Sequence, residues 1–432
     1  MSPSIMSGLT DTVVLPFLTE GISMATTILT LSAMVLLVYT YAGYPAMLWV
    51  ISRLKEPLTT ERDTTNSWPS LTVVISAYNE EAVIARRIQN LLDQDYPSEQ
   101  VEILIGSDGS TDATCQVVES YRSAGVQLAA FRTRRGKASV LNDLVRLAGG
   151  EMVIFTDAAT VFYPDAFKQL VTGFWRYPSA SVVVGELEMR SSRGSRNLDG
   201  WYWRYELFLK GRESEIGAGL GASGTIYAVR RQDYCPLPPD TIADDLLEPL
   251  LVRLRTHGDV VQYGAARAWQ LIPERVTDEF HRRVRSGAGI AHVLRHAWPL
   301  LLPQRGLVSL ALWSHKALRL VAPWMLLTVL AGTLFLRHSP FYQSLLISQA
   351  LFYGAALCAG WLRAVPLIGK AAIGARYFVV LNAALALGSV KFFLGLSRPT
   401  WNRTRRPEEE AMRADDWSEV MPDDAEKQRP AA

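Results

Sequence analysis

Five stretches of this chain carry side chains suited to chemistry. Asp108 stands in Ser107-Asp108-Gly109-Ser110-Thr111. Asp-Gly is ordinary turn chemistry, and Ser110 or Thr111 can cap a following helix. A carboxylate there can also accept hydrogen bonds from a ribose or a nucleobase. Asp157 closes the run Met152-Val153-Ile154-Phe155-Thr156, where it suits a hard divalent cation. Mg2+ takes oxygen ligands and is commonly held by one or two carboxylates plus substrate phosphates; Mn2+ shares the preference for oxygen. Lys137 is either a solvated helix-start lysine or a group that neutralises phosphate. Asp244-Asp245 follow a Pro-rich loop and precede an apolar run. Acids are ordinary at helix starts, where the dipole favours them. An Asp within reach of a sugar hydroxyl can also act as its base. The basic run His281-Arg282-Arg283-Val284-Arg285 is a surface stretch, a lipid-phosphate contact, or a clamp on a leaving diphosphate, for which Arg has the charge and fork geometry.

These groups need a frame. From Ser70 to about Trp269 short apolar runs alternate with helical patterns. The run at 70–78 is β-branched and ends in Tyr78-Asn79-Glu80-Glu81. The next segment sets Ile84, Ile88, Leu91 and Leu92 on one helical face. A second strand over 101–108, a third over 126–131, a helix over 137–148 and a fourth strand ending at Asp157 follow. Alternation of this kind predicts an α/β fold with a mostly parallel sheet covered on both faces. In such sheets ligands bind beyond the carboxyl ends of the strands, where Asp108 and Asp157 lie.

Composition narrows the class. The chain has 432 residues, room for two or three domains. Lys plus Arg number 44 against 42 Asp plus Glu, a net charge of +2, so no nucleic-acid partner is expected. Hydrophobic residues make up 49% and charged residues 20%, the balance of a soluble domain joined to membrane spans. Cys115, Cys235 and Cys358 form no pair motif, which argues against disulfides and a cysteine zinc site. The six histidines are scattered without metalloprotease-type spacing. Gly217–Gly224 is not a dinucleotide fingerprint, and Arg135-Gly136-Lys137-Ala138 lacks the other residues of a P-loop.

Both ends are apolar. Residues 21–52 carry no charge, a run longer than the ~20 residues that cross a bilayer. The start lacks a basic region and a small-residue cleavage site, so an anchor is expected rather than a cleaved signal peptide. Basic residues after the span place the N-terminus outside and the main domain in the cytoplasm. Residues 320–336 and 339–362 are two further uncharged runs, and 377–397 is a third, interrupted by Lys391. One N-terminal and three C-terminal crossings are expected. They would set the basic stretch 402–406 outside, against the charge rule, so the side of the tail is left open.

The order of the motifs along the chain says more than any one of them. VVISAYNEE, the QDYP turn, ILIGSDGSTDAT, GKASVLN, VIFTDAAT, GASGTIYAVRR and TIADDLLEPL, followed by RRVRSG and apolar segments, resemble family 2 glycosyltransferases, the group of membrane-embedded hyaluronan, chitin, cellulose and bacterial exopolysaccharide synthases. The resemblance covers about 68–300. It implies a GT-A nucleotide-sugar domain over 68–290 behind a transmembrane anchor over 1–55. Interfacial amphipathic helices over 291–319, C-terminal transmembrane helices over 320–398 and a disordered tail over 407–432 complete the expected organisation, in an inner membrane with the catalytic domain cytoplasmic.

The resemblance also implies roles. Ala77, Tyr78, Asn79, Glu81, Asp108, Lys137 and Asp157 match nucleotide-sugar-binding positions. Asp157 matches the first Asp of a metal-binding D-x-D, with Mg2+ or Mn2+ as cofactor. Asp245 matches the catalytic base, with Asp244 beside it. Gly224, Arg282 and Arg285 fall at the acceptor and diphosphate positions. Two residues depart from the pattern: Ala159 replaces the second Asp of D-x-D, and Ser286 replaces a Trp found at the acceptor end of processive synthases. The expected activity is inverting transfer from a UDP-linked sugar to a glycan or polyprenyl-lipid acceptor, with membrane lipids and export or assembly proteins as further partners. The alternative is a catalytically impaired relative that binds nucleotide-sugar as an assembly subunit.

Overall fold

The computed structural model describes residues 4–55, 67–190, 199–222, 224–271, 276–398 and 400. The expected disordered tail lies outside the described residues. The chain divides into two compact units.

The first unit comprises residues 1–47 and 314–387. Helix α1 (Ser4–Val38) runs through a π-helical turn at Tyr39–Gly43 into α2 (Tyr44–Leu54). Thr30 and Ala33 of α1 are buried. Ala33 forms a small core with Met325 and Val329, two residues from the C-terminal helices described below. A Cβ placed at Gly332 would collide with Thr30, so the glycine lets two helix backbones approach closely, as small residues do between membrane helices.

The second unit comprises 48–313 and 388–432. Among the described residues its eight strands are β1 (Leu71–Ala77), β2 (Val101–Asp108), β3 (Val126–Phe131), β4 (Met152–Thr156), β5 (Val161–Phe162), β6 (Ala180–Arg190), β7 (Tyr227–Arg230) and β8 (Asp259–Leu271). They form one sheet in the order β3-β2-β1-β4-β7-β6-β8-β5. The β3-β2-β1-β4 half is parallel throughout. Beyond β4 the sheet is mixed: β7 is antiparallel to both β4 and β6, β6 and β8 are parallel, and β5 closes the edge antiparallel to β8. All seven residues of β1 are buried, as a central strand covered on both faces requires. Alternate residues feed two cores. Val73, Ile75, Ile103 and Ile105 pack on one face, and Val74, Leu104, Val153 and Phe155 on the other.

The covering helices are α3 (Glu81–Leu92), α4 (Thr114–Ser120), α5 (Lys137–Leu147), α6 (Ala166–Arg176), α7 (Asp199–Glu215), α8 (Asp244–Thr256) and α9 (Val276–His296). Ile84, Ile88 and Leu91 of α3 are buried as their spacing predicts, whereas Leu92, expected on the same face, is exposed at the end of the helix; Arg87 is buried instead. A short α10 (Leu307–Ala311) leads through a second π-helical turn into α11 (Leu318–Phe335), then α12 (Pro340–Leu357), a four-residue α13 (Ala359–Leu362) and α14 (Ile368–Phe393).

Among the described residues three helical stretches are long and apolar enough to cross a membrane: Gly21–Leu54, Leu307–Phe335 and Ile368–Phe393. That is one fewer than the four expected. The run at 339–362 folds as α12 with a cap at Cys358, and Gln343 and Gln349 dilute its apolar character. The third C-terminal segment begins earlier than expected, at Ile368 rather than Tyr377.

Candidate active site

The carboxyl ends of β1 and β4 meet at a cavity of about 450 Å3, enclosed by the loop before β7, the start of α8 and the first half of α9. Lys137, the first residue of α5, lies on its floor. Its Nζ is 2.9 Å from Asp157 Oδ1 and 2.9 Å from Asp244 Oδ2. Burial lowers the pKa of this ammonium, yet the two carboxylates outweigh that effect and hold it well above the ordinary lysine value. One buried cation thus ties the end of β4 to the start of α8.

Asp245 is the next residue, and it has a different environment. The chain segment before β7 packs against it: Ala222 donates its N–H to the Asp245 carbonyl at 2.8 Å. Gly224 has φ +79°, and a Cβ there would stand 2.9 Å from Asp245 Oδ2. The glycine therefore serves two needs, a left-handed backbone and room for the carboxylate. Enclosure by protein raises the Asp245 carboxyl above its ordinary value, and the Asp244 charge adds to the rise; Lys137 and Lys210 oppose it. A carboxylate raised toward neutrality is a better proton acceptor than an ordinary one.

Arg282, Arg283, Arg285 and Ser286 bring α9 to the opposite wall. Arg285 donates from Nη2 to the Ile242 carbonyl at 3.0 Å. Burial lowers its pKa, while Asp244, Asp245 and Asp157 push it back up. Three acids therefore face cations across one cavity.

The other sequence-marked residues lie outside the cavity wall. Ala77 is fully buried at the end of β1. Tyr78 carries the Arg134 guanidinium over its ring at 3.8 Å. Asn79 takes a left-handed backbone, φ 54°, and links the two loops: its Oδ1 accepts from Thr111 N–H at 2.8 Å. Glu81 accepts from Ala113 N–H at 2.9 Å, which holds the entry to α4. Asp108 has no exposed surface. Its Oδ1 and Oδ2 accept the N–H groups of Arg135 (2.7 Å) and Gly136 (2.9 Å), so its carboxylate fixes the loop that delivers Lys137.

Other residues reach the cavity that the sequence did not single out as site residues. Glu80 rather than Glu81 reaches the wall, with Ser76, Trp203 and Gln270. Beneath Asp157, Arg87 donates to Thr156 Oγ1 at 2.8 Å, and Thr156 donates on to the Thr225 carbonyl at 2.7 Å. Burial lowers Arg87 to about 9 against the pull of Asp157.

A metal beside Asp157 would find one protein carboxylate already sharing an oxygen with Lys137, next to a buried Ala159. That set fits an ion held mainly by substrate phosphates.

Residues 72–234 match the model "Glycosyl transferase family 2". This segment is a family 2 glycosyltransferase domain. It contains β1 to β7, and α8 and α9 follow it with Asp244, Asp245 and the arginines. Two curated relatives of the family 2 domain illustrate its company. The poly-beta-1,6-N-acetyl-D-glucosamine synthase of Staphylococcus epidermidis is 26% identical over 238 residues, 54% of this chain and 57% of the relative. The beta-monoglucosyldiacylglycerol synthase of Synechocystis sp. is 30% identical over 149 residues, 34% of this chain and 30% of the relative. The chain spans about half the length, or less, of the curated relatives it matches. Among solved structures, the mannosyltransferase PcManGT from Pyrobaculum calidifontis, in complex with GDP-Man and Mn2+, is 23% identical. It covers 85% of this chain and all of its own, with a TM-score of 0.66. The likeness shows a shared GT-A fold.

Proposed function

We propose that the chain is a membrane-bound inverting glycosyltransferase that moves a sugar from a UDP-linked donor to a polysaccharide or lipid-linked acceptor. The observation that carries the reading is the pairing of Lys137 with both Asp157 and Asp244, which leaves Asp245 beside them on the cavity wall. Asp245 takes the acceptor hydroxyl proton. The hydroxyl oxygen attacks the anomeric carbon on the face opposite the leaving group, and the bond from that carbon to the diphosphate oxygen breaks with its electron pair. Lys137, Arg282 and Arg285 offset the charge that develops on the diphosphate, a stabilisation greatest in the transition state. Asp157 is the residue to hold Mg2+ or Mn2+, which would supply further positive charge at the diphosphate. The impaired reading rests on Ala159 alone, whereas Asp157, Asp244 and Asp245 all reach the cavity.

The three apolar stretches support a multi-pass protein of the inner membrane. Charge asymmetry supports an outside N-terminus and a cytoplasmic catalytic domain. Residues 291–306, ahead of the Leu307–Phe335 stretch, then lie at the membrane surface, where the exposed Trp298 and Leu302 suit an interface.

A second reading is addition of a single sugar to a lipid. Ser286 favours it, because it lines the cavity where processive relatives of this family carry a Trp. The two named relatives stand for the two product types, a polymer and a glycolipid. The test is a panel of UDP- and GDP-sugars with the purified full chain in lipid, first by thermal shift and then by product analysis. UDP-sugar stabilisation with polymer or glycolipid product supports the reading. Stabilisation by GDP-sugars alone would contradict the donor class, and sugar transfer to neither kind of acceptor would contradict the function.

A further inference from the structure

We infer that Asp240, His292 and His296 form a binding site for a divalent ion of the zinc class, separate from the diphosphate site. One ligand atom from each of the three lies within 4.8 Å of the others. His292 and His296 stand one turn apart on α9, and Asp240 comes from the loop before α8. The two imidazoles stack with ring centroids 4.2 Å apart.

Three observations point to a ligand. His292 is 2% exposed, yet neither of its ring nitrogens has a hydrogen-bond partner. A buried polar group left in that state carries a desolvation cost that a ligand would remove. Its Nε2 is 3.5 Å from Asp240 Oδ2; tetrahedral zinc with bonds of ~2.0–2.1 Å needs ligand atoms about 3.3 Å apart. His296 Nδ1 is 3.0 Å from the His292 carbonyl. With Nδ1–H donated there, Nε2 is left as a lone-pair donor, the second-layer arrangement usual for metal-bound histidine. Two imidazoles and a carboxylate suit zinc and its borderline neighbours better than Mg2+. Three protein ligands leave the fourth position open to water on the exposed Asp240 side.

The site sits where an ion would act as a clamp. Asp240 is four residues before Asp244. α9 carries Arg282 and Arg285 in its first half and the histidines in its last turns. The two segments already touch: a Cβ at Gly289 would stand 2.8 Å from the Ala243 Cβ. A bound ion would fasten the strap that leads to the catalytic carboxylates onto the helix that carries the arginines.

The test uses the full chain in detergent, purified without a histidine tag and stripped with chelator. Co2+ is titrated while the visible absorption of tetrahedral cobalt is followed, and Zn2+ then competes. One equivalent of Co2+ displaced by one of Zn2+ is expected. Asp157→Ala should leave this binding intact, which separates it from any ion at the diphosphate. Asp240→Asn, on an exposed side chain, and His296→Gln should each weaken it at least about tenfold, since even second-layer changes cost 10–100-fold. No stoichiometric binding to the wild-type chain, or equal binding by Asp240→Asn, would overturn the assignment.

Discussion

Lys137 Nζ and Asp244 Oδ2 stand 2.9 Å apart, with side-chain exposures of 15% and 10%. The contact joins the first residue of α5 to the first residue of α8, far apart in sequence. It divides the labour of two adjacent acids: Asp244 is held by the lysine, and Asp245 faces the cavity. Removing one partner of such a pair leaves a buried charge uncompensated, at a cost of about 3–5 kcal/mol. Lys137→Met should therefore lower stability by roughly that amount. In the Lys137→Met/Asp244→Asn double variant the loss should be smaller than the sum of the single losses, as for coupled neighbours. Strictly additive losses in denaturant titrations would show the two to be independent.

Gly224 is a second constraint on Asp245. Alanine there must take a left-handed backbone, which costs about 1–2 kcal/mol, and its methyl would press on Asp245. Gly224→Ala should reduce turnover more than it reduces UDP affinity. Gly211→Ala, where an added Cβ meets nothing within 4 Å, should leave both unchanged. A Gly224→Ala chain as active as wild type would show that Asp245 does not depend on this gap.

Glu248 lies one helical turn beyond Asp244, fully buried, with neither carboxyl oxygen hydrogen-bonded. Burial, helped by the Asp244 charge, raises its pKa to about 8. The folded state then holds a proton that the unfolded chain releases near 4.5. The stabilisation is complete below the unfolded value and is lost as pH rises through the folded one. Between pH 5 and 8 the chain should lose about 1.4 kcal/mol of stability per pH unit through this group. Glu248→Gln should flatten that slope. The same pH dependence in the variant would assign it elsewhere.

Much of the parallel half-sheet was legible because buried central strands read as unbroken apolar runs: β1, β2 and β4 all fall where their β-branched stretches end in acid or polar loops. The mixed half was harder. β6 and β8 pair in parallel with register shifts, and nothing local in sequence announces a pairing across some 80 residues. Asp108 and Asp157 were marked for the same reason, both being acids at strand ends. Yet hydrogen bonds turn Asp108 inward to the 135–136 loop. Glu80 and Glu81 are a similar case, since a helix start fixes which of two neighbours faces the cavity. Arg87 hides on an apolar helical face. The histidines were read as scattered, without metalloprotease-type spacing. His292 and His296 do stand four apart, but Val293 follows the first, and their third partner, Asp240, is brought to them only by the fold.

The assignment of Asp245 as base is tested most directly by turnover and donor affinity in Asp245→Asn, measured in lipid with saturating donor. The asparagine keeps size and shape but cannot take a proton. A positioned general base contributes about 10²–10⁴-fold, so turnover should fall by about that factor while UDP affinity stays near wild type. Asp244→Asn should lose stability more than turnover. Wild-type turnover in Asp245→Asn would contradict the account and leave this cavity without its base.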